Sequence, residues 1–454
     1  MSGRLFKAVM ACLLLVIGMA GCGSSGAGSG SQTVSPAACN VSVNTGTTYQ
    51  TLEGFGAAIA WYGNLLTGNS NKAEIYDLLF KDSGLDILRL RNTYGDRNGA
   101  SFCPNHEDEI VREAKARNPA LKVLICSWSP PTDLKMNGVL NGGTLAKVNG
   151  GFNYSGFADY WYNSLVNYAG KGIVPDYISI QNEPDYQNTG WETCLLDPVE
   201  GTNAGYGKAL DAVFNRIQAL PNKPKLIGPE TSGIAGKVQT YYANLNGSEL
   251  DGVAHHLYNG GTGNQANIAP DSFIANMQGL ANSYYPNKPL FQTEYDYGTP
   301  LQTGQLIINA LVNENVNAYF YWDLIWDSSQ RPLVAFPKSG SGYTVSDWYY
   351  VFKQFAKFTD AGYTRVAAAA DSNAIKTVAF VSPGQNQRQL SVILINPGNS
   401  TTTATLNLNG FPMSGSAIYR TVSGTADKCS DVGSLGSGNA VALPAQSITT
   451  VVIQ

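Results

Sequence analysis

Between about residues 51 and 360 the chain repeats one pattern eight times: a short apolar run followed by an amphipathic stretch of helix length. The runs are Leu52–Ala58, Ile87–Arg91, Lys122–Ser127, Tyr177–Gln181, Lys225–Gly228, Gly252–Leu257, Pro289–Thr293 and Ala318–Trp322. Near-continuous apolar runs suit strands covered on both faces, and strands alternating with helices imply a parallel sheet. Eight such units over roughly 300 residues match a closed (β/α)8 barrel, in which functional side chains sit at the C-terminal ends of the strands. That rule directs the search for chemistry to those strand ends.

After about Tyr363 the texture changes. Thr377–Val381, Gln389–Ile395, Thr402–Leu408, Ser416–Thr421 and Ile448–Ile453 are β-type runs separated by Gly, Pro, Asn and Ser. Cys39 and Val41–Val43, just ahead of the barrel, offer one more strand to this module. The expected fold is α/β, a TIM barrel with a side β-sandwich built from both chain ends. Its parts are a signal segment at 1–22, a Gly/Ser tether at 23–37, a strand of the side domain at 38–50, the barrel at 51–362 and the rest of the sandwich at 363–454.

The signal segment carries Arg4 and Lys7, then an apolar run from Ala8 to Ile17, then Ala20-Gly21-Cys22. Small residues directly before Cys22 resemble the lipobox of bacterial lipoproteins, with Met19 where Leu is commoner. The expectation is an exported protein held at the cell envelope by a lipid on Cys22, with plain secretion as the alternative. Without Cys12 and Cys22, five cysteines remain, an odd number that leaves at least one thiol. Cys126 lies in an apolar strand and is the expected free thiol. Cys39–Cys429 would tie the chain ends together, and Cys103–Cys194 would bridge the barrel mouth; five thiols with no disulfide is the competing reading.

With 29 Lys+Arg against 33 Asp+Glu, the net charge of −4 offers no footprint for a nucleic acid. Aromatic residues make up 11% of the chain, including 25 Tyr and 7 Trp, and flat rings suit the apolar faces of sugars as well as they suit a core.

Two strand ends carry carboxylates. Tyr177-Ile178-Ser179-Ile180-Gln181-Asn182-Glu183-Pro184 places Glu183 at the mouth after the fourth strand, and Pro289-Leu290-Phe291-Gln292-Thr293-Glu294 places Glu294 there after the seventh. A carboxyl pair flanking a glycosidic bond is what hydrolysis through an oxocarbenium-like transition state requires: one group protonates the leaving oxygen and the other attacks the anomeric carbon. Glu230, a third strand-end carboxylate, is assigned a supporting role. In His255-His256, adjacent strand residues point to opposite faces, so one is expected in the core and the other beside the site. Gly260-Gly261-Thr262-Gly263 lacks the Lys-Ser/Thr context of a phosphate loop.

Leu52-Glu53-Gly54-Phe55-Gly56, Ile87-Leu88-Arg89, Ser127-Trp128-Ser129-Pro130-Pro131, Gln181-Asn182-Glu183-Pro184-Asp185, Gly228-Pro229-Glu230, His256-Leu257-Tyr258, Thr293-Glu294 and Pro444-Ala445-Gln446-Ser447 occur in order along the chain. As an ordered set they resemble glycoside hydrolase family 30, and within it the bacterial xylanase and glucuronoxylanase subgroup. The resemblance implies retention of anomeric configuration, Glu183 as acid/base, Glu294 as nucleophile, and neither metal nor cofactor. It implies that Asn182 contacts the hydroxyl beside the anomeric carbon and that Arg89 and Tyr258 orient Glu294. Trp128 and Trp322 would wall the −1 subsite, with Trp61 and Trp191 meeting outer sugars; core packing is the bland alternative for each.

Glucuronate-dependent members of that subgroup carry an arginine segment directly after the eighth strand. Here Ile325 and Trp326 stand in its place, and Trp326 offers a surface to the bare xylan backbone. The expectation is internal cleavage of β-1,4-xylan by a monomer without a strict glucuronate requirement. Alternatives are glucuronate dependence through Arg331, a β-1,6-glucanase or other β-glycosidase of the family, release from chain ends, and a surface lipoprotein that binds polysaccharide without cutting it.

Overall fold

A computed structural model describes residues 37–95, 106–337, 341–384 and 388–454. The signal segment, Cys22 and Cys103 therefore lie outside the described residues. The strand Ala37–Thr51 (β1) precedes eight strands that close on themselves: Gly54–Ile59 (β2), Ile87–Arg91 (β3), Lys122–Cys126 (β4), Tyr177–Ser179 (β5), Lys225–Thr231 (β6), Gly252–His256 (β7), Leu290–Glu294 (β8) and Ala318–Asp323 (β9). Neighbouring strands run parallel all the way round, the geometry of a (β/α)8 barrel. Along β3 the side chains alternate: Leu88 and Leu90 join the apolar layer under the helices, while Ile87 joins Leu124, Tyr177, Ile227, Phe291 and Phe320 inside the barrel. The interior is thus a packed core. Gly56 is required there, because a Cβ at that position would lie 2.2 Å from the Phe320 ring.

Strand ends depart from the sequence reading where the mouth begins. The run expected to reach Gln181 is regular only to Ser179, after which the Asn182 amide reaches Ser127 O at 2.7 Å. Among the helices, Pro300–Asn309 starts with a full capping box of Thr299 and Gln302, and Asp347–Ala356 is capped by Ser346. This last helix ties the barrel to the side domain: Thr450 Oγ1 donates to Gln354 Oε1 at 2.6 Å, and Gln354 Nε2 donates to Thr421 Oγ1 at 2.9 Å.

The side domain is one nine-stranded sheet. Its strands are β1, Thr364–Ala370 (β10), Lys376–Val381 (β11), Leu390–Asn396 (β12), Thr402–Asn409 (β13), Ser416–Val422 (β14), Lys428–Asp431 (β15), Ala440–Leu443 (β16) and Ser447–Ile453 (β17), in the order β15-β14-β17-β12-β11-β10-β1-β13-β16. The first chain end thus sits inside the sheet, parallel to β13 and antiparallel to β10. Strand β10 escaped the sequence reading because Ala367-Ala368-Ala369-Ala370 has weak β propensity; its pairing with Val41–Asn44 makes it a strand.

The expected Cys39–Cys429 disulfide is not formed: Cys39, Cys126, Cys194 and Cys429 are all buried free thiols. Cys39 points with Val41, Val43 and Val451 into the apolar interior of the side domain, whereas Cys429 packs with Phe358 and Val452 on the opposite face of the sheet. A sheet separates the two sulfurs. Cys126 is a buried thiol, and the Cys103–Cys194 pairing falls outside the described residues through Cys103. Among the described residues no helix is long and apolar enough to cross a membrane.

Candidate active site

Arg89 lies two positions beyond Ile87 on the inward face of β3, one layer above the barrel core, and is fully buried. A guanidinium there needs acceptors, and three surround it. Nη1 donates to Glu294 Oε2 at 2.8 Å, Nη2 to Asn182 Oδ1 at 2.7 Å, and Nε to Glu230 Oε1 at 3.1 Å. Its plane also lies 4.5 Å from the centre of the Trp128 ring. Burial disfavours its charge, but Glu230 and Glu294 raise its pKa above the ordinary value. Glu230, also fully buried, accepts from the Cys126 thiol at 2.7 Å; burial pushes its carboxyl up, and the Arg89 and His256 charges hold it well below the usual range.

Glu294 sits on this base. Tyr258 donates its hydroxyl to Glu294 Oε1 at 3.0 Å, and burial with the Glu294 charge keeps that phenol protonated. Burial, helped by Glu183, raises the Glu294 pKa against the opposing charges of His256 and Arg89. Glu183 has a backbone φ of 44° and Glu230 one of 57°, left-handed conformations that side chains other than glycine rarely adopt. Each costs about 1–3 kcal/mol and is held by its surroundings; the Glu183 amide donates to Glu230 O at 3.0 Å.

Of the two histidines, His255 faces outward and pairs with buried Glu314, while His256 faces the mouth. His256 Nδ1 is 3.0 Å from Glu183 Oε1, and Nε2 lies 3.8 Å from Glu294 Oε2 and 3.9 Å from Glu230 Oε1. Burial alone would lower its pKa, yet the Glu294 charge and the contacts with Glu183 and Glu230 raise it to about 10. Glu183, His256 and Glu294 bring one oxygen or nitrogen each within 4.8 Å of one another, compact enough to hold a metal ion. With no metal between them, the carboxyl charges keep His256 protonated, and the two carboxyls are bridged by an imidazolium.

Above these residues opens a cleft of about 660 Å³, lined by Glu183, Glu294, Tyr258, Trp61, Trp322, Trp326 and Trp191 among others. Trp61 is the hub of one wall, with ring centres 5.4 Å from Trp128, 6.1 Å from Trp322 and 5.9 Å from Trp326. Three tryptophans of the sequence reading, Trp191, Trp322 and Trp326, thus line the cleft with Trp61, but Trp128 is buried behind the wall and backs it instead of forming it. Asn182 is likewise buried, its carbonyl oxygen committed to Arg89.

Arg91 was missed in the sequence. It stands two residues after Arg89 on the same face, stacks 4.6 Å from the Trp61 ring centre and pairs with Glu192 at 2.7 Å. The alternation in Leu88-Arg89-Leu90-Arg91 was the available signal. Tyr186, Asp296, Tyr297, Asn259 and Gln265 also line the cleft, and nothing in their local sequence marks them.

No family model matches the sequence. The chain is 26% identical to the glucuronoxylanase XynC of Bacillus subtilis (strain 168), covering 92% of both, and 24% identical to the endo-1,6-β-D-glucanase neg1 of Aspergillus fumigatus, covering 89% of this chain and 85% of the other. Among solved structures, the catalytic domain of the family 30 xylanase C from Talaromyces cellulolyticus superposes with a TM-score of 0.74 at 22% identity, over 91% of this chain and 100% of that one. A family 30 endoxylanase from Clostridium papyrosolvens C71 gives a TM-score of 0.67 at 25% identity, over 91% and 100%. The similarity of sequence and fold is to glycoside hydrolase family 30, with xylanases and glucuronoxylanases among the relatives.

Proposed function

We propose that the chain is a retaining glycoside hydrolase that cleaves β-1,4-xylan internally without a strict glucuronate requirement. The observation that carries the reaction type is the approach of the Glu183 and Glu294 carboxyls, within 4.8 Å oxygen to oxygen at the floor of an open cleft. Retaining enzymes need about 5–5.5 Å between the groups, whereas inverting ones need about 6.5–9.5 Å to seat a water. Glu294 attacks the anomeric carbon while Glu183 gives its proton to the departing glycosidic oxygen, leaving a glycosyl ester on Glu294. Glu183 then takes a proton from water, the hydroxide adds to the anomeric carbon, and the Glu294 carboxylate is released. Arg89 and Tyr258 orient the nucleophile, and His256 fixes the acid.

The substrate reading rests on charge. Among the described residues no Lys or Arg lines the cleft. Arg331, the alternative that the sequence offered for a uronate, is held by Asp296: its Nε donates to Asp296 O at 2.9 Å and Nη2 to Asp296 Oδ2 at 3.2 Å. With no guanidinium among the described residues lining the cleft, about 1.5–3 kcal/mol of charge-assisted bonding to a branch carboxylate is missing. Trp326, 4.7 Å from Tyr62 and 5.9 Å from Trp61, offers an aromatic face to a neutral backbone instead. A neutral cleft also suits β-1,6-glucan, which is the second reading. The signal segment supports export, with a lipid on Cys22 as the first reading and plain secretion as the second.

The test has two parts. Azide should rescue the alanine variant of Glu294 with an inverted glycosyl azide and that of Glu183 with a retained one; full activity of either variant without azide refutes the pair. Product profiles on glucuronoxylan, the same polymer stripped of glucuronate, and β-1,6-glucan decide the substrate. Loss of activity on the stripped polymer, with cuts at one fixed distance from each branch, refutes glucuronate independence.

A further inference from the structure

Tyr186 and Trp191 are exposed by 38% and 47%, yet their rings are ordered as a stack, 6.3 Å between centres and 25° between planes. Both line the cleft. They follow Glu183 by three and eight residues on the segment that leaves the fourth barrel strand. Large apolar rings held in water at the rim of a site mark a contact surface.

We propose that this pair is the platform for the leaving-group side of the glycan, taking the apolar face of a neutral pyranose just beyond the cleavage point. The proposal rests on the glycosidase reading above and fixes the polarity of the bound chain. The glycosidic oxygen must lie at the acid, Glu183, and the sugar under attack must lie over Glu294. The departing sugar is then placed on the side from which the Glu183 segment runs on, toward Tyr186 and Trp191. Trp61 and Trp326, from the first and eighth strands, line the same cleft and are left for the sugars on the other side of the bond.

The segment is preorganised. Asn188 Nδ2 donates to Tyr186 Oη at 3.2 Å, the Gly190 amide to Asn188 Oδ1 at 2.6 Å, and Asn141 Nδ2 to Thr189 O at 2.9 Å. Buried Lys135 gives Nζ to Thr193 O at 2.6 Å, and Glu192, next to Trp191, is clamped to Arg91 at 2.7 Å. A rigid platform needs little ordering when a sugar arrives, so its contact appears as affinity.

The experiment compares Trp191→Ala and Tyr186→Ala with wild type on two substrates built on the same oligosaccharide. One is a β-glycosyl fluoride, whose leaving atom is too small to reach the platform; the other is a longer oligosaccharide isotopically labelled at its reducing end. On the labelled chain each variant should lose about tenfold in kcat/KM, the size of one aromatic contact. Its cuts should also shift toward the reducing end, while the glycosyl fluoride is turned over as by wild type. Equal losses on both substrates would show a structural role and overturn the platform, as would no loss on either. A wild type that cleaves neither substrate removes the glycosidase reading itself, and the platform with it.

Discussion

Replacing Arg89 by Gln removes a buried cation that touches Glu294, Asn182 and Glu230 at once. At an effective dielectric of about 20, unit charges at the 2.8 Å separation of Arg89 and Glu294 attract by roughly 6 kcal/mol. The His256 imidazolium, 3.8 Å from Glu294, remains and compensates in part. About half of the attraction should therefore be lost from the ionised nucleophile, about 3 kcal/mol, which raises its pKa by about two units. Because the carboxylate is the reactive form, the acid limb of the kcat/KM profile should move up by about two pH units, and the rate at pH values below the wild-type limb should fall on the order of a hundredfold. Arg89→Lys keeps the charge but not the three-way fork, and should fall between. Urea unfolding should show a stability loss of about 3–5 kcal/mol, the usual result of breaking a buried ion pair. An Arg89→Gln protein that folds, keeps the wild-type acid limb and stays within about threefold in kcat/KM below that limb would refute this account of how the proposed nucleophile, Glu294, is kept ionised.

Burial raises Asp86 to about 7 against the backbone hydrogen bonds it accepts from Phe55 and Ala361. The folded state thus holds this proton more tightly than the unfolded chain does. Its contribution, up to about 4 kcal/mol, is complete below about pH 4 and lost as pH rises through about 7. Urea midpoints between pH 4 and 8 should decline less in Asp86→Asn than in wild type, and identical slopes would remove Asp86 from the explanation. His256, raised to about 10, adds a second decline that begins above about pH 6.5 and is complete past about 10. For the thiols, alkylation of denatured but unreduced protein should label Cys39, Cys126, Cys194 and Cys429; an unlabelled Cys39 and Cys429 recovered as one cross-linked peptide contradicts the sheet placement.

The barrel was legible in the sequence because apolar runs of strand length are a local property, repeated eight times, and a parallel sheet buries both faces of each. Glu183 and Glu294 were legible for a related reason: a charged residue ending an apolar strand has few places to go except the mouth; Arg89 was reached only through the family resemblance. What the sequence left open were relations between segments distant along the chain. Alternation showed that His255 and His256 diverge, but only the barrel's closure decided that His256 is the one between Glu183 and Glu294. Cys39 and Cys429 both lie at chain ends that meet in one sheet, yet the sheet's own thickness keeps their sulfurs on opposite faces. Trp128 reads as a wall residue from its place after a strand, and it is Trp61 and Trp322, brought from two other strands, that bury it. Arg91 acquires its meaning only when Trp61 and Glu192, from two further loops, close on either side of it. Periodicity and residue type act within a few residues, whereas burial, ion pairing and pKa depend on which distant segments the closed barrel brings within a few ångströms.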